Sequence, residues 1–295
     1  MVRLTLAPLA AAAALILAPH AKAQSAPAAP ATAAPGMRPS RPPPQPTWVL
    51  TIGFAPIVAP AWQGSSDMAF SVFPDIRVNY KDEVFFSVQE GLGWNAVNRD
   101  GWKIGPVARL RFGRQESNGG SPFLITGGSE ALRGFGDVDI AGEFGGFVQY
   151  SPAGVLGRRV ALRAEVRRGV GGHEGVVAEP SIRFSDRAGK FRYSLGLRST
   201  FASEKYTQVY FGVTPQQGLA AGLAPFSTGS GLVSAGISGT LTRPLGNRGQ
   251  HGALTLLTGY DRLGNVVADS TLIRQRGRRN QFSVGLAYGY RFTWK

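Results

Sequence analysis

Charged side chains recur at every second position in several stretches of this sequence. Arg163, Glu165 and Arg167 alternate with Ala164 and Val166, and neighbouring stretches repeat the pattern. The residues that share this phase are Arg109, Arg111, Glu143, Arg163, Glu165, Arg167, Glu179 and Arg183, with Asp137 and Asp139 at the start of one stretch. Because buried charges require partners, side chains of both signs on one face are expected to form ion pairs.

This charged face has two chemical interpretations. The first is a structural network of ion pairs that fills an interior. The second is a selective, mildly cationic pore or a small-solute site, because side chains that line a lumen tune its selectivity.

The sequence carries no recognisable catalytic or metal-binding motif. It has no Cys, which excludes a thiolate zinc site and a Cys nucleophile. Nothing in it resembles the G-x-S-x-G nucleophile elbow or a zinc motif. His173 lies in Gly171-Gly172-His173-Glu174-Gly175, where the glycines predict a tight turn between two strands. We therefore predict a protein that is not an enzyme and that holds neither a metal ion nor a cofactor.

The charged stretches belong to segments that alternate with period two, which is the signature of β-strands. Near the C-terminus, Phe282, Val284 and Leu286 alternate with Ser283 and Gly285. These segments run for roughly 10–15 residues, longer than the ~5–6 of typical soluble strands and long enough to cross a bilayer at a tilt. One apolar face and one polar face predict an all-β fold, a transmembrane antiparallel up-and-down β-barrel with lipid outside.

The pattern resolves eleven candidate strands. They are 48–58, 69–80, 83–93, 101–113, 136–150, 159–171, 175–185, 190–203, 231–243, 250–263 and 280–293. Bacterial single-chain barrels have an even number of strands, so we predict twelve, with ten and fourteen as alternatives. The missing strand is expected within 114–135 or 83–98.

Two long connections are expected on the outer side, where loops of such barrels are longer than the periplasmic turns. The first, 204–230, contains Thr214 as a helix N-cap, Pro215 at the first helical position and Gly222 as a stop, which predicts a two-turn helix that folds over the barrel mouth. The second, 264–279, carries Arg274, Arg276, Arg278 and Arg279. Arg binds phosphate through its fork of donors, so this cluster predicts contact with lipopolysaccharide; a solvated loop is the alternative.

The N-terminus predicts export. Arg3, an apolar stretch over 4–18 and Ala21-Lys22-Ala23 have the form of a Sec signal peptide, 1–23. Residues 24–47 contain eight Pro and few large apolar side chains, which predicts a disordered tether. The barrel then occupies 48–295. The net charge of +14 suggests nucleic acid as a possible partner. Because an exported protein does not encounter nucleic acid in the cytoplasm, we predict no nucleic-acid binding.

Several motifs resemble the MipA/OmpV family of outer-membrane proteins. They are Gly134-Phe135-Gly136-Asp137-Val138-Asp139, the stretch from Arg163 to Gly175, Tyr210-Phe211-Gly212-Val213-Thr214-Pro215, and Arg276-Gly277-Arg278-Arg279-Asn280-Gln281-Phe282. The resemblance runs in order over nearly all of 48–295. It implies a barrel in the outer membrane of a Gram-negative bacterium. This sequence departs from the usual ending, where Phe is last, because Thr293-Trp294-Lys295 follow Phe292.

The resemblance implies two classes of function. One is a non-enzymatic scaffold that links a lytic transglycosylase (MltA) and a peptidoglycan synthase to the outer membrane. Other members are porin-like proteins or adhesins, and the charged inward face gives the alternative of a porin-like channel or a small-solute binding barrel with a mildly cationic lumen. Outer-membrane lipids and lipopolysaccharide are expected partners in both. A soluble periplasmic β-sandwich is the third alternative.

Overall fold

The computed structural model describes residues 47–119, 121–152, 159–246 and 252–294. The predicted signal peptide, and all of the predicted tether except Thr47, lie outside these residues. The strands are β1 (Trp48–Pro60), β2 (Met68–Tyr80), β3 (Val84–Ser87), β4 (Gly91–Trp94), β5 (Val97–Arg99), β6 (Trp102–Arg111), β7 (Leu124–Gly127), β8 (Ala141–Tyr150), β9 (Arg159–Gly171), β10 (Val176–Ala188), β11 (Phe191–Ala202), β12 (Gly231–Leu245), β13 (Gly252–Leu263) and β14 (Asn280–Trp294).

Twelve of these strands close an antiparallel barrel, which confirms the predicted architecture and strand number. Neighbours in the wall follow the order of the chain, while β5 pairs on β6 and β7 pairs on β2 beside the main path. Closure occurs at β1, where Trp48 lies opposite Tyr80 of β2 and opposite Trp294 of β14. Antiparallel pairing between neighbours satisfies backbone groups that hydrocarbon cannot hydrogen-bond.

The twelfth strand comes from the stretch predicted as one strand, 83–93. This stretch is a short hairpin of β3 and β4, in which the Ser87 hydroxyl accepts a 2.8 Å hydrogen bond from the Glu90 amide. Gly91 has a φ of +78° and lies so close to the Ala108 carbonyl that a Cβ there would clash. The missing strand therefore lies in one of its two candidate regions, 83–98, but the alternation pattern did not reveal the turn within it.

The outer face of the barrel is apolar. Leu162, Leu195 and Leu286 are 42%, 45% and 44% exposed, as expected for side chains that face lipid. At the end that carries both termini, the rings of Trp102 and Tyr150 lie 4.5 Å apart, and Trp48 forms a similar group with Tyr80 and Trp294. Such aromatic groups mark the boundary between hydrocarbon and water. Within the described ranges, no helix is long and apolar enough to cross a membrane.

The outer connections fold into a cap with its own apolar core. Four short helices contribute: α1 (Glu204–Phe211), α2 (Pro215–Ala221), α3 (Asn265–Ala268) and α4 (Thr271–Arg276). The predicted helix is α2: Thr214 and Gln217 form a reciprocal capping box, and Gly222 ends the helix at a φ of 68°. The buried side chains of this core include Trp62, Leu132, Phe135, Tyr206, Phe211, Val213, Leu223, Leu263, Val267, Leu272 and Ile273.

Candidate functional site

Glu143 of β8 is the centre of a charged cluster inside the barrel, directly beneath the cap. Its side chain is fully buried. It accepts hydrogen bonds from Arg111 Nε at 2.5 Å, from Arg167 Nε at 2.8 Å and from His173 Nε2 at 3.0 Å. Three donors on one carboxylate offset the cost of removing the charge from water.

Two further carboxylates extend this cluster across the wall. Arg167 of β9 also donates to Glu165 and, at 2.7 Å, to Glu179 of β10. Arg109 of β6 bridges the same two carboxylates at 3.1 Å and 3.2 Å. Arg163 donates to Glu165 at 2.7 Å, and its guanidinium lies 4.0 Å from the centre of the Phe147 ring. We call the seven residues Arg109, Arg111, Glu143, Arg163, Glu165, Arg167 and Glu179 the lumen network.

The alternation of the strands explains why these side chains meet. Arg109 lies directly opposite Glu143 across β6 and β8, and Glu165 lies opposite Glu179 across β9 and β10. Paired residues on adjacent strands lie at the same depth in the barrel and point to the same face. Charged residues at every second position of several strands therefore come together inside the barrel. Four guanidinium groups and three carboxylates leave the lumen network with one net positive charge.

Three predicted members lie outside the lumen network. Asp137 and Asp139 precede β8, which begins at Ala141 rather than at 136, and they lie in the outer connection where Asp137 accepts from the Glu116 amide. The prediction that they line the lumen is therefore wrong. The alternating pattern extends to residues before Ala141, but strand β8 does not. Arg183 faces inward on β10 but lines a separate cavity nearer the periplasmic end, together with Asp82 and Lys103.

His173 completes the cluster, which its sequence context did not predict. It lies in the predicted turn between β9 and β10, but its ring is fully buried rather than solvated. Nδ1 accepts a 3.2 Å hydrogen bond from the Gly175 amide, so the ring proton is on Nε2 and is donated to Glu143. A Cβ at Gly169 would lie 2.2 Å from the ring, so the glycine leaves the space that His173 occupies.

Helix α1 closes the lumen network from above. The Tyr206 and Tyr210 rings lie 5.0 Å and 5.9 Å from the His173 ring, and the Arg111 guanidinium lies 5.1 Å from the centre of the Tyr206 ring. Burial raises the pKa of Tyr206 and raises that of Tyr210 to about 12. Arg114 fixes the end of the helix by donating to the Tyr210 carbonyl at 2.6 Å.

The cap and the lumen network together occupy much of the outer half of the barrel. Beneath Trp62, a polar cavity of about 350 Å³ separates the lumen network from an ion pair between Arg198 and Asp261 on the opposite wall. The periplasmic half contains two further cavities, of about 450 Å³ and 270 Å³.

A family model described as MltA-interacting protein MipA matches residues 52–292, which is most of the chain and all of the strands except the ends of the first and last. This chain belongs to the MipA family. Membership and the lipid-facing barrel together place the protein in the outer membrane. No curated protein matches this MipA-family chain in a sequence search.

Among solved structures, this MipA-family chain is similar to an outer membrane channel of Pseudomonas putida F1, with 11% identity, a TM-score of 0.43, and coverage of 87% of this chain and 100% of that one. It is also similar to OmpT, an outer membrane protein of Vibrio cholerae, with 8% identity, a TM-score of 0.36, and coverage of 83% of this chain and 96% of that one.

The basic cluster of this MipA-family chain divides into two pairs. Arg276 donates to the Ala131 carbonyl at 2.9 Å and to the Ala221 carbonyl, and Arg279 donates to the Leu263 carbonyl at 2.8 Å, so both are bonded within the cap. Arg274 and Arg278 are exposed. In the part of the chain that the structure describes, no cluster of His, Asp and Glu has the composition of a metal site.

Proposed function

We propose that this protein is a non-enzymatic scaffold that recruits peptidoglycan-remodelling enzymes to the periplasmic side of the outer membrane. The first partner is a lytic transglycosylase, in line with the description of the MipA family as MltA-interacting. A peptidoglycan synthase is the second partner. The observation that carries the proposal is that a buried apolar cap and the lumen network occupy the outer half of the barrel.

A closed lumen favours a role that uses the surface of the protein. The cap core contains large, fully buried side chains such as Phe211 and Leu272, and the loss of such a core is costly. A barrel whose outer half is filled this way is poorly suited to free diffusion. We propose the periplasmic turns and the predicted tether 24–47 as the contact surfaces for a periplasmic enzyme.

The test is a pull-down of the mature chain, refolded in detergent, with a purified lytic transglycosylase of the MltA type. We expect enrichment of the enzyme, and a reduced yield when residues 24–47 are deleted. A matched variant with Leu219→Ser on the exposed outer side, where this side chain is 89% exposed, controls for the preparation. Equal recovery with an unrelated barrel of similar size would refute the scaffold role.

A porin-like channel is the second candidate, and the polar inward face favours it. The lumen network and the cavity beneath Trp62 provide polar walls for a solute once the cap moves aside. Planar-bilayer recordings test this function. Stable conductance steps whose ion selectivity changes with Arg163→Glu or Arg167→Glu support it, while a silent bilayer supports a plugged barrel.

Lipopolysaccharide contact belongs to the same proposal, with Arg274 and Arg278 as the binding residues. Both are exposed in the last outer connection, where phosphate groups of the outer leaflet are expected. Replacing both with Gln is expected to weaken co-purification of lipopolysaccharide, while Lys205→Gln on α1 serves as a control cation that is 68% exposed.

A further inference from the structure

Three arginines border one cavity at the periplasmic end of the lumen. Arg159 begins β9, and Arg187 and Arg192 flank the turn between β10 and β11. All three are exposed towards a cavity of about 450 Å³. Among the described residues, none of them forms an ion pair, in contrast to the arginines of the lumen network. We propose that this cavity binds a small multivalent oxyanion, a solute with two or more phosphate or carboxylate groups.

The register of the strands concentrates the positive charge. Arg187 lies directly opposite Arg192, and Arg159 lies opposite Ser185, two positions from Arg187 on the same face. Like charges that face each other across a sheet destabilise it. An anion between them removes that repulsion and accepts from several planar guanidinium groups at once. The arrangement is therefore expected to be more stable when the cavity holds an anion.

Hydroxyl groups line the cavity beside the arginines. Ser185 and Ser194 lie opposite each other, and Thr240 lies opposite Ser194 on the next strand. The Ser194 and Thr240 hydroxyls share a 2.8 Å hydrogen bond, so one of the two protons remains for a ligand. Arginines with hydroxyl donors are a chemistry suited to oxyanions, and they distinguish this cavity from a merely basic surface.

One carboxylate lies among the described residues that border the cavity. It is that of Asp186, which has the opposite phase to Arg187 and follows the lipid-facing residues Ile182 and Phe184. Its oxygens accept from the Arg187 amide at 2.8 Å and from the Tyr193 hydroxyl at 3.4 Å. Three guanidinium groups and one carboxylate therefore border the cavity, which leaves its lining positively charged. This inference is independent of the scaffold proposal, because it concerns a solute in the lumen.

Isothermal titration of the full mature chain, refolded in a non-ionic detergent, tests the site with two probes. Pyrophosphate represents phosphate solutes and citrate represents polycarboxylates, and glucose serves as the uncharged control. We expect saturable binding of at least one probe and no binding of glucose. Pyrophosphate binding alone assigns a phosphate ligand, and citrate binding alone assigns a carboxylate ligand. If neither probe binds more tightly than chloride, the proposal is overturned.

Variants distinguish specific binding in the cavity from non-specific attraction of anions to a basic protein. The double variant Arg187→Gln with Arg192→Gln is expected to weaken probe binding roughly a hundredfold, about tenfold for each charge-assisted hydrogen bond that is removed. Arg243→Gln is the matched control, since Arg243 lies at the same end of the barrel but on the lipid-facing phase of β12. Because the double variant relieves repulsion, it is expected to fold as well as the parent, as judged by heat-modifiable migration. An equal loss in both variants would overturn the proposal.

Discussion

Glu143 and His173 are joined by a 3.0 Å hydrogen bond inside the barrel, although they are thirty residues apart in the chain. The bond links the strand that carries the centre of the lumen network to the turn beneath the cap. On its other side, the His173 ring packs against Tyr206 and Tyr210 of α1. The carboxylate at the centre of the barrel and the helix that closes its mouth are therefore coupled through one buried imidazole.

Replacing Glu143 with Gln tests the stability that this carboxylate provides. The substitution keeps the shape but removes the charge that pairs with the buried guanidinium of Arg167 and the partly buried guanidinium of Arg111. Breaking a buried ion pair on one side typically costs about 3–5 kcal/mol, and we expect a loss of that size in urea unfolding from lipid vesicles. Glu130→Gln is the control, because its ion pair with Arg133 lies at the surface, and a loss below about 1 kcal/mol is expected there. Similar losses in the two variants would contradict the central role of Glu143.

The lumen network was largely predictable from the sequence, because the side-chain period of a strand is fixed. Once Arg163, Glu165 and Arg167 are assigned to one face, strand pairing brings them near Glu143 and Glu179. Asp137 and Asp139 could not be excluded in the same way. Nothing local in the sequence marks the residue at which β8 begins, because that boundary is set by the fold of the outer connection.

The cap was predictable only in part. Helix α2 has a capping box at Thr214 and a stop at Gly222, and these are local signals that a sequence displays. Helices α3 and α4 span four and six residues, too short to be stable without tertiary contacts. The burial of His173 likewise depends on distant neighbours. The glycines around it predicted only the turn between the two strands.

Replacing Tyr210 with Phe tests a buried hydroxyl that has no hydrogen-bond partner among the described residues. An unpaired buried polar group costs about 1–3 kcal/mol, so removing it is expected to leave the free energy of unfolding unchanged or to raise it by up to about 1 kcal/mol. Tyr206→Phe is the matched control, since its hydroxyl donates to Gln63 at 3.4 Å and its loss is expected to destabilise slightly. Urea unfolding of both variants provides the measurement. A clear loss of stability in Tyr210→Phe would indicate a partner for the hydroxyl.

Because Tyr210 is buried, its hydroxyl is expected to ionise at a higher pH than an exposed tyrosine. Its pKa is raised to about 12, so the phenolate is disfavoured in the folded protein. An unfolded tyrosine ionises near pH 10, and the stabilisation associated with the neutral phenol is therefore complete below about pH 10 and is lost as the pH rises towards 12. The difference in ultraviolet absorbance between the parent and Tyr210→Phe isolates this group. We expect a midpoint close to 12, and a midpoint near 10 would show that the cap leaves Tyr210 solvated.

Replacing Thr214 with Ala tests the contribution of the capping box to the cap. The Thr214 hydroxyl accepts from the Gln217 amide at 3.2 Å, and the Gln217 side chain accepts from the Thr214 amide at 3.0 Å. Loss of an N-cap costs typically ~1 kcal/mol, which is expected to appear as faster amide hydrogen exchange in 214–222. Leu219→Ala, on the exposed side of the same helix, is expected to leave exchange nearly unchanged. Equal exchange in the two variants would contradict a role for the box.

Removing the loop that carries α1 and α2 tests whether the cap is what closes the barrel. The Glu204 amide donates to the Ser230 hydroxyl at 2.8 Å, and Ala202 pairs with Gly231, so the ends of the loop are adjacent and a short Gly-Ser turn can join them. Deleting residues 205–229 exposes His173 and Arg111 from above and is expected to convert a silent barrel into one with measurable single-channel conductance in planar bilayers. Leu219→Ser in the intact loop controls for handling and is expected to remain silent.

A deletion variant that folds, as judged by heat-modifiable migration, and still conducts no current would mean that the lumen network blocks the passage by itself. A second variant, the same deletion with Arg167→Ala and Glu143→Ala, then distinguishes a blocked lumen from a collapsed one, because only the former is expected to conduct.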